Sequence, residues 1–224
     1  MSATAHRGTP SILVMAKEPR PGTVKTRLHP LLGPLRCAEL QAGLIRHTLE
    51  LATVHTPRTY LAYAPADGGD AIGTTTPAGV RLRFQRGEDL GGRLAAAVAD
   101  AFADGAGPLL VIGTDAPTLT GDHLTAAFAA LESHDVVLGP ALDGGYYLIG
   151  LRAPHTTLFA LDADVWSTDR VLTATRRAAR REGLSVGLLC PLRDLDTPED
   201  AAALLADPAL PAPIAALIRP GEAP

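Results

Sequence analysis

Gly107–Gly113, GPLLVIG, is apolar from end to end and stops at Thr114-Asp115-Ala116-Pro117. A strand with no polar alternation offers no face to water, so it must be covered on both sides. That requirement points to a sheet enclosed between helices, and the rest of the chain supplies both. Strands are predicted at Ser11–Ala16, Arg58–Ala64, Val80–Gln85, Asp135–Pro140, Tyr146–Leu151 and Ser185–Leu189. In the third of these, Val80, Leu82 and Phe84 alternate with Arg81, Arg83 and Gln85. Helices are predicted where apolar residues recur at steps of three and four. Leu35, Ala38, Ala42, Ile45, Leu49 and Ala52 mark one over Pro34–Val54. Leu94, Ala97, Val98, Ala101 and Phe102 mark a second, and Leu124, Ala127, Phe128 and Leu131 a third over Thr120–Leu131. Trp166-Ser167-Thr168 is expected to open a helix ending in Arg176, Arg177, Arg180 and Arg181, cations suited to a helix C-terminus. Thr197, Pro198 and Asp200 read as N-cap, first residue and capping-box acid of another. Strands alternating with helices define an α/β fold with a parallel-rich sheet.

The 224 residues suit one domain, with a core over 10–206 and a Pro-rich tail over 207–224 that is expected to pack loosely. Ala66–Ala78 reads as a Gly/Thr loop. Net charge is −4 and aromatics are 4%, which argues against nucleic-acid binding by either phosphate neutralisation or base stacking. Cys37 and Cys190 stand far apart without a CxxC, so neither a disulfide framework nor a thiolate zinc site is expected. The polar N-terminus and the brevity of the apolar run after it suggest no signal peptide or membrane span, and a reducing cytoplasm. Oligomeric state is not legible.

In open α/β sheets, ligands bind beyond the carboxyl ends of the strands. KEPRPGTVKTR, QRGEDLGGR, GTDAP and DLDTP each follow a predicted strand and should converge on one rim. The first carries Lys17, Arg20, Lys25 and Arg27 on a loop stiffened by Pro19 and Pro21 and containing Gly22. Such a loop suits an anion, with Lys as a point charge and Arg as a two-oxygen grip; the alternative is a solvated basic loop. Arg36, opening the next helix, is expected near the same anion. Asp115 follows a buried strand, where a carboxylate is costly unless compensated. A divalent cation is one compensator, with Asp196 or Asp194 as the second carboxylate and phosphate oxygens completing the shell. The alternatives are a turn residue at Asp115 and a simple helix start around Asp196. Gly91-Gly92 and Gly144-Gly145 leave room for a ligand against the backbone, and Gln85 and Leu90-Gly91 are expected near a base. Arg93 lies on the same loop. Tyr146 and Tyr147 alternate across a strand, so one faces the core; Trp166, the single tryptophan, is a core anchor or a substrate platform. No GxGxxG, GxxxxGK[ST] or GxSxG is present, which disfavours a dehydrogenase, a P-loop NTPase and an α/β-hydrolase.

MAKEPRPGTVKTRL, GTDAPTL, LGPALDGGYYLIGL, the Trp-Ser-Thr and RDLDTPEDAAAL together resemble a bacterial family, the glycosyltransferase-like DUF2064. It is also labelled the radical-SAM/selenodomain-associated transferase family. The resemblance spans Ile12 to Leu205 and implies a three-layer α/β/α fold of the nucleotide-diphospho-sugar transferase (GT-A) type, with a mixed, mostly parallel sheet. It extends more distantly to the phospholactate and molybdenum-cofactor guanylyltransferases. It implies Asp115 as metal ligand with Asp196 as second, Lys25-Thr26-Arg27 as a phosphate grip, and Asp143-Gly144-Gly145 as an acceptor-side loop. Glycosyltransferases of this fold carry an Asp-x-Asp, whereas Asp115 is followed by Ala116-Pro117.

The expected activity is therefore Mg²⁺- (or Mn²⁺-) dependent transfer of a nucleotidyl group from a triphosphate to a small acceptor, releasing pyrophosphate. The alternatives are glycosyl transfer from a nucleoside-diphosphate sugar and a non-catalytic nucleotide-binding module. The catalytic candidates are Lys25, Arg27 and Asp115. The nucleotide-binding set is Lys17, Arg20, Gly22, Lys25, Arg27, Gln85, Gly91 and Arg93. Asp143, Gly144, Gly145, Tyr146 and Trp166 form the acceptor side, and Asp115 and Asp196 the metal site.

Overall fold

A computed structural model describes residues 8–65 and 69–219. The polar segment before Gly8, the first residues of the Ala66–Ala78 loop and the end of the tail lie outside them. One seven-stranded sheet runs through the molecule in the order β3-β2-β1-β4-β6-β5-β7. Its strands are β1 (Thr9–Lys17), β2 (Thr59–Ala64), β3 (Arg81–Phe84), β4 (Ala106–Ile112), β5 (Val136–Pro140), β6 (Tyr146–Leu151) and β7 (Val186–Leu188). The helices are α1 (His29–His55, kinked at Gly33), α2 (Gly69–Thr75), α3 (Leu90–Ala103), α4 (Gly121–Ala130), α5 (Val171–Arg181), α6 (Pro198–Leu205) and α7 (Ala212–Ile218).

The apolar run at β4 is central. It pairs in parallel with β1, matching Leu13 to Val111 and Val14 to Ile112, and antiparallel with β6. Leu110 and Ile112 enter the core layer that also holds Ile45, Leu49, Leu124 and Ala127. Leu109 and Val111 enter the opposite layer with Leu94, Val98 and Ala179. Both faces are thus buried, and burial of each such aliphatic side chain contributes about 1.5–3 kcal/mol. Among the described strands, only β6 runs against the rest. The rim therefore collects the carboxyl ends of β1, β2, β3, β4, β5 and β7 together with the β5–β6 turn.

Several expectations are corrected. The Gly/Thr segment is not all loop, because α2 forms there and buries Ile72. β3 is an exposed edge strand whose apolar side chains stay open, Leu82 at 39% and Phe84 at 52%. The fifth helix begins at Val171, not Trp166, since Ser167 stands at φ 64, outside helical space. The tail is not loose: Ile214 and Ile218 of α7 are buried with Leu28, Leu40 and Leu44 in a third apolar cluster. Arg36 serves this cluster and not the rim. Its guanidinium donates to the carbonyls of Leu217 and Arg219 at 3.4 and 2.6 Å.

Candidate active site

The loop after β1 divides its cations. Lys17 ends the strand on the exposed rim. Arg20 pairs with the buried carboxylate of Glu18, and Gly22 turns the chain at φ 84. Arg27 stands exposed on the 3-10 turn Thr26–Leu28. Lys25 goes the other way. Its backbone is left-handed, at φ 48 and ψ 40, and its side chain is only 4% exposed. Its ammonium donates to Asp115 Oδ1 at 2.5 Å, Leu195 O at 2.7 Å and Asp196 Oδ1 at 3.1 Å. Burial pulls its pKa down, but the two carboxylates outweigh that and hold it above the ordinary lysine value. The inward lysine thus faces carboxylates where the sequence reading expected it to face a phosphate.

Those carboxylates meet because the Leu195 amide donates to the Asp115 carbonyl at 2.7 Å, drawing the strand-end loops of β4 and β7 together. Downstream, a capping box fixes the chain: Thr197 and Asp200 exchange hydrogen bonds at the start of α6. Both loops stay accessible, with Asp115 48% and Asp196 33% exposed. Asp194 lies beside them. Burial, then the charges of Asp115, Asp143 and Asp196, push its carboxyl up to about 8 despite Lys25. Gln41 anchors the rim from below, its amide donating to Lys17 O at 3.4 Å and Thr114 Oγ1 at 3.3 Å.

This surplus of negative charge fits a divalent cation. Among the described residues, no group of three or more His, Cys, Asp or Glu side chains forms a metal cage. An open two-carboxylate site is nevertheless what Mg²⁺ uses when waters and substrate phosphates complete its shell. Asp115 and Asp196 are the residues that would hold it.

At the turn expected to form the acceptor side, Asp143 accepts from the Gly145 amide at 2.9 Å, which shapes the β5–β6 connection. Gly144 stands at φ 91, and a β-carbon there would lie 2.5 Å from Asp169 Cα. Leu172 N also donates to Gly144 O at 3.0 Å, so the turn is seated on the start of α5. Tyr146 packs against the α3–α5 core layer, and burial drives its phenol pKa well up. Tyr147 lies on the opposite face, donating to Cys190 O at 3.0 Å. Trp166 is half-buried on the same layer as Tyr146 and closes over Gly91, where a β-carbon would stand 2.8 Å from its Nε1. The glycine is therefore explained by packing within the protein. Gln85 donates to Ala16 O and Ala62 O at 3.0 and 2.9 Å, tying β1 to β2, and Arg93 Nε reaches Gly87 O at 3.2 Å. Gln41 and the buried Glu18 escaped the sequence reading. A lone Gln inside an apolar helix stripe was the available signal for the first.

The sheet order, rim and single reversed strand define a nucleotide-diphospho-sugar transferase fold. The chain belongs to DUF2064, a family described as an uncharacterised protein conserved in bacteria, whose model matches residues 48–168. That stretch holds Asp115 and Asp143; Lys25 and Asp196 fall outside it. A 3-phospho-D-glycerate guanylyltransferase from Phenylobacterium zucineum (strain HLK1) is 35% identical over 152 residues, 65% of this chain. The match spans 62% of that relative's length. A protein from Desulfovibrio desulfuricans G20, described provisionally as a nucleotide-diphospho-sugar transferase, superposes with a TM-score of 0.80 at 31% identity, over 93% of this chain and 96% of its own. Rv0371c from Mycobacterium tuberculosis H37Rv, solved in complex with manganese, shares the fold at a TM-score of 0.56 and 15% identity, over 87% of this chain and 97% of its own.

Proposed function

We propose that this chain is a divalent-metal-dependent nucleotidyltransferase that transfers the nucleoside-monophosphate group of a triphosphate to a small phosphorylated or hydroxylated acceptor and releases pyrophosphate. The observation that carries the reading is the meeting of Asp115 and Asp196 on the Lys25 ammonium, with Asp194 beside them, on a rim that also exposes Lys17 and Arg27. Lys17 and Arg27 bind the triphosphate and neutralise charge on the departing pyrophosphate. Asp115 and Asp196 would hold Mg²⁺ or Mn²⁺, which would supply Lewis-acid charge neutralisation at the phosphate oxygens. The Asp143–Tyr146 turn orients the acceptor, whose oxygen forms the new bond to the α-phosphorus as the bond to the β-phosphate oxygen breaks. Positioning and charge carry most of such a transfer, so no covalent protein intermediate is needed.

The relative's activity supports GTP and a phosphorylated hydroxy acid as the first substrates to test. Purified protein with Mg²⁺, GTP and 3-phosphoglycerate is expected to release pyrophosphate, and Asp115→Asn to slow that release by about 10²-fold or more. No turnover of any triphosphate across a panel of phosphorylated acids would sink the reading. The likeness to the Desulfovibrio protein favours a second reading, glycosyl transfer on the same rim. Release of free nucleoside diphosphate from a nucleotide sugar would establish it. No helix among the described residues is long and apolar enough to cross a membrane. The two free cysteines support a reducing cytoplasm as the site of action.

A further inference from the structure

The Lys25 ammonium has three protons and three acceptors: Asp115 Oδ1 at 2.5 Å, Leu195 O at 2.7 Å and Asp196 Oδ1 at 3.1 Å. All its donors are used within the protein, so in this arrangement it has none for a phosphate. It lies on the two carboxylates assigned above to the metal. Resting on that assignment, we propose that Lys25 is the internal counter-cation of the metal site, which makes metal loading conditional on the triphosphate.

The reason is charge. Two carboxylates already sharing an ammonium attract a dication less than two bare ones, and the two cations repel across a few ångströms. An arriving triphosphate changes both sides of this balance. It carries negative charge for the metal and offers the ammonium phosphate oxygens as new acceptors. The lysine is held to this place by its backbone as well as its side chain. Its carbonyl accepts from Leu28 N at 2.9 Å at the start of the 3-10 turn, which sets the residue at the entrance to α1. The side chain is 4% exposed, against 48% for Asp115, so solvent reaches the carboxylate from the side away from the lysine. The same ammonium screens the two carboxylates from one another.

The test uses Mn²⁺ alone, titrated into nucleotide-free protein and read by its paramagnetic resonance signal. Lys25→Met is expected to bind Mn²⁺ at least about tenfold more tightly than the natural chain, or about 1.4 kcal/mol. Lys25→Arg keeps the charge and should stay near the natural affinity. Lys25→Gln, which keeps a hydrogen-bonding group, is measured alongside in case the methionine variant does not fold. Melting curves should show both neutral variants destabilised without Mn²⁺ and restored by it. Equal or weaker Mn²⁺ binding by the neutral variants overturns the proposal and leaves the metal assignment standing. Absence of Mn²⁺ binding in every form, at millimolar metal, overturns the assignment and the proposal with it. Neither result depends on turnover.

Discussion

The Leu195 amide donates to the Asp115 carbonyl at 2.7 Å, joining the ends of two strands that are not neighbours in the sheet. Asp115 and Asp196 face the same ammonium as a result. Replacing either carboxylate by an amide keeps the shape and removes the charge. Asp115→Asn and Asp196→Asn are each expected to lower turnover by about 10²-fold or more, the loss seen when one pre-set electrostatic group is removed from a transferring centre. Circular dichroism and melting curves should show the fold retained.

Gly91 and Trp166 are in contact, and the Phe159 carbonyl crowds the same spot. Gly91→Ala must push the Trp166 segment away, at a cost of about 1–3 kcal/mol for overpacking. The single tryptophan reports this directly. Its emission is expected to shift to the red as the indole meets water. Unchanged emission and stability would show that the segment does not rest on Gly91.

Asp135 accepts from the amide and hydroxyl of Ser185 at 2.9 and 2.6 Å, fastening the start of β5 to that of β7. The Ser185 hydrogen bonds hold its carboxyl below the ordinary aspartate value. Its contribution is therefore fully present above the unfolded pKa, about 3.9, and is lost as pH falls through the folded one. Asp135→Ala should cost about 1 kcal/mol at pH 7, the scale of a hydrogen bond to a partly exposed carboxylate. Urea midpoints of variant and natural chain should converge as the pH falls below about 4.

Ile218 of α7 is fully buried against α1 and α6 residues. Ile218→Ala is expected to cost about 2–5 kcal/mol, as for other large-to-small changes in a core. A loss of a few tenths would mean that the tail is dispensable. Chemical denaturation distinguishes the two outcomes.

The layers of the fold were legible because they rest on local pattern. The apolar β4 run demands cover on both faces, and the Thr197–Asp200 box is set by neighbours in sequence. Features resting on distant partners were not. The place of β6 between β5 and β4 rests on its pairing with β4, some forty residues earlier, and α7 gains its stability from Leu28, Leu40 and Leu44, remote in the chain. Among the rim residues, charge and loop position marked Lys25 and Asp115, but not which way the lysine turns. That is decided by carboxylates 90 and 171 residues away. Gln85 and Gly91 likewise sit at the rim, yet their visible partners are protein groups.

The central claim is triphosphate recognition by the Lys17, Arg27 and Asp115 rim. Melting temperatures measured with Mg²⁺, with and without EDTA, should compare the four triphosphates with UDP-, GDP- and dTDP-sugars. A ligand near a hundred times its dissociation constant adds about 2.7 kcal/mol, or roughly 5–10 °C in a domain of this size. Such a shift is expected with GTP and is lost on adding EDTA. A shift with a nucleotide sugar and none with its triphosphate, or no shift with any of them, would contradict it.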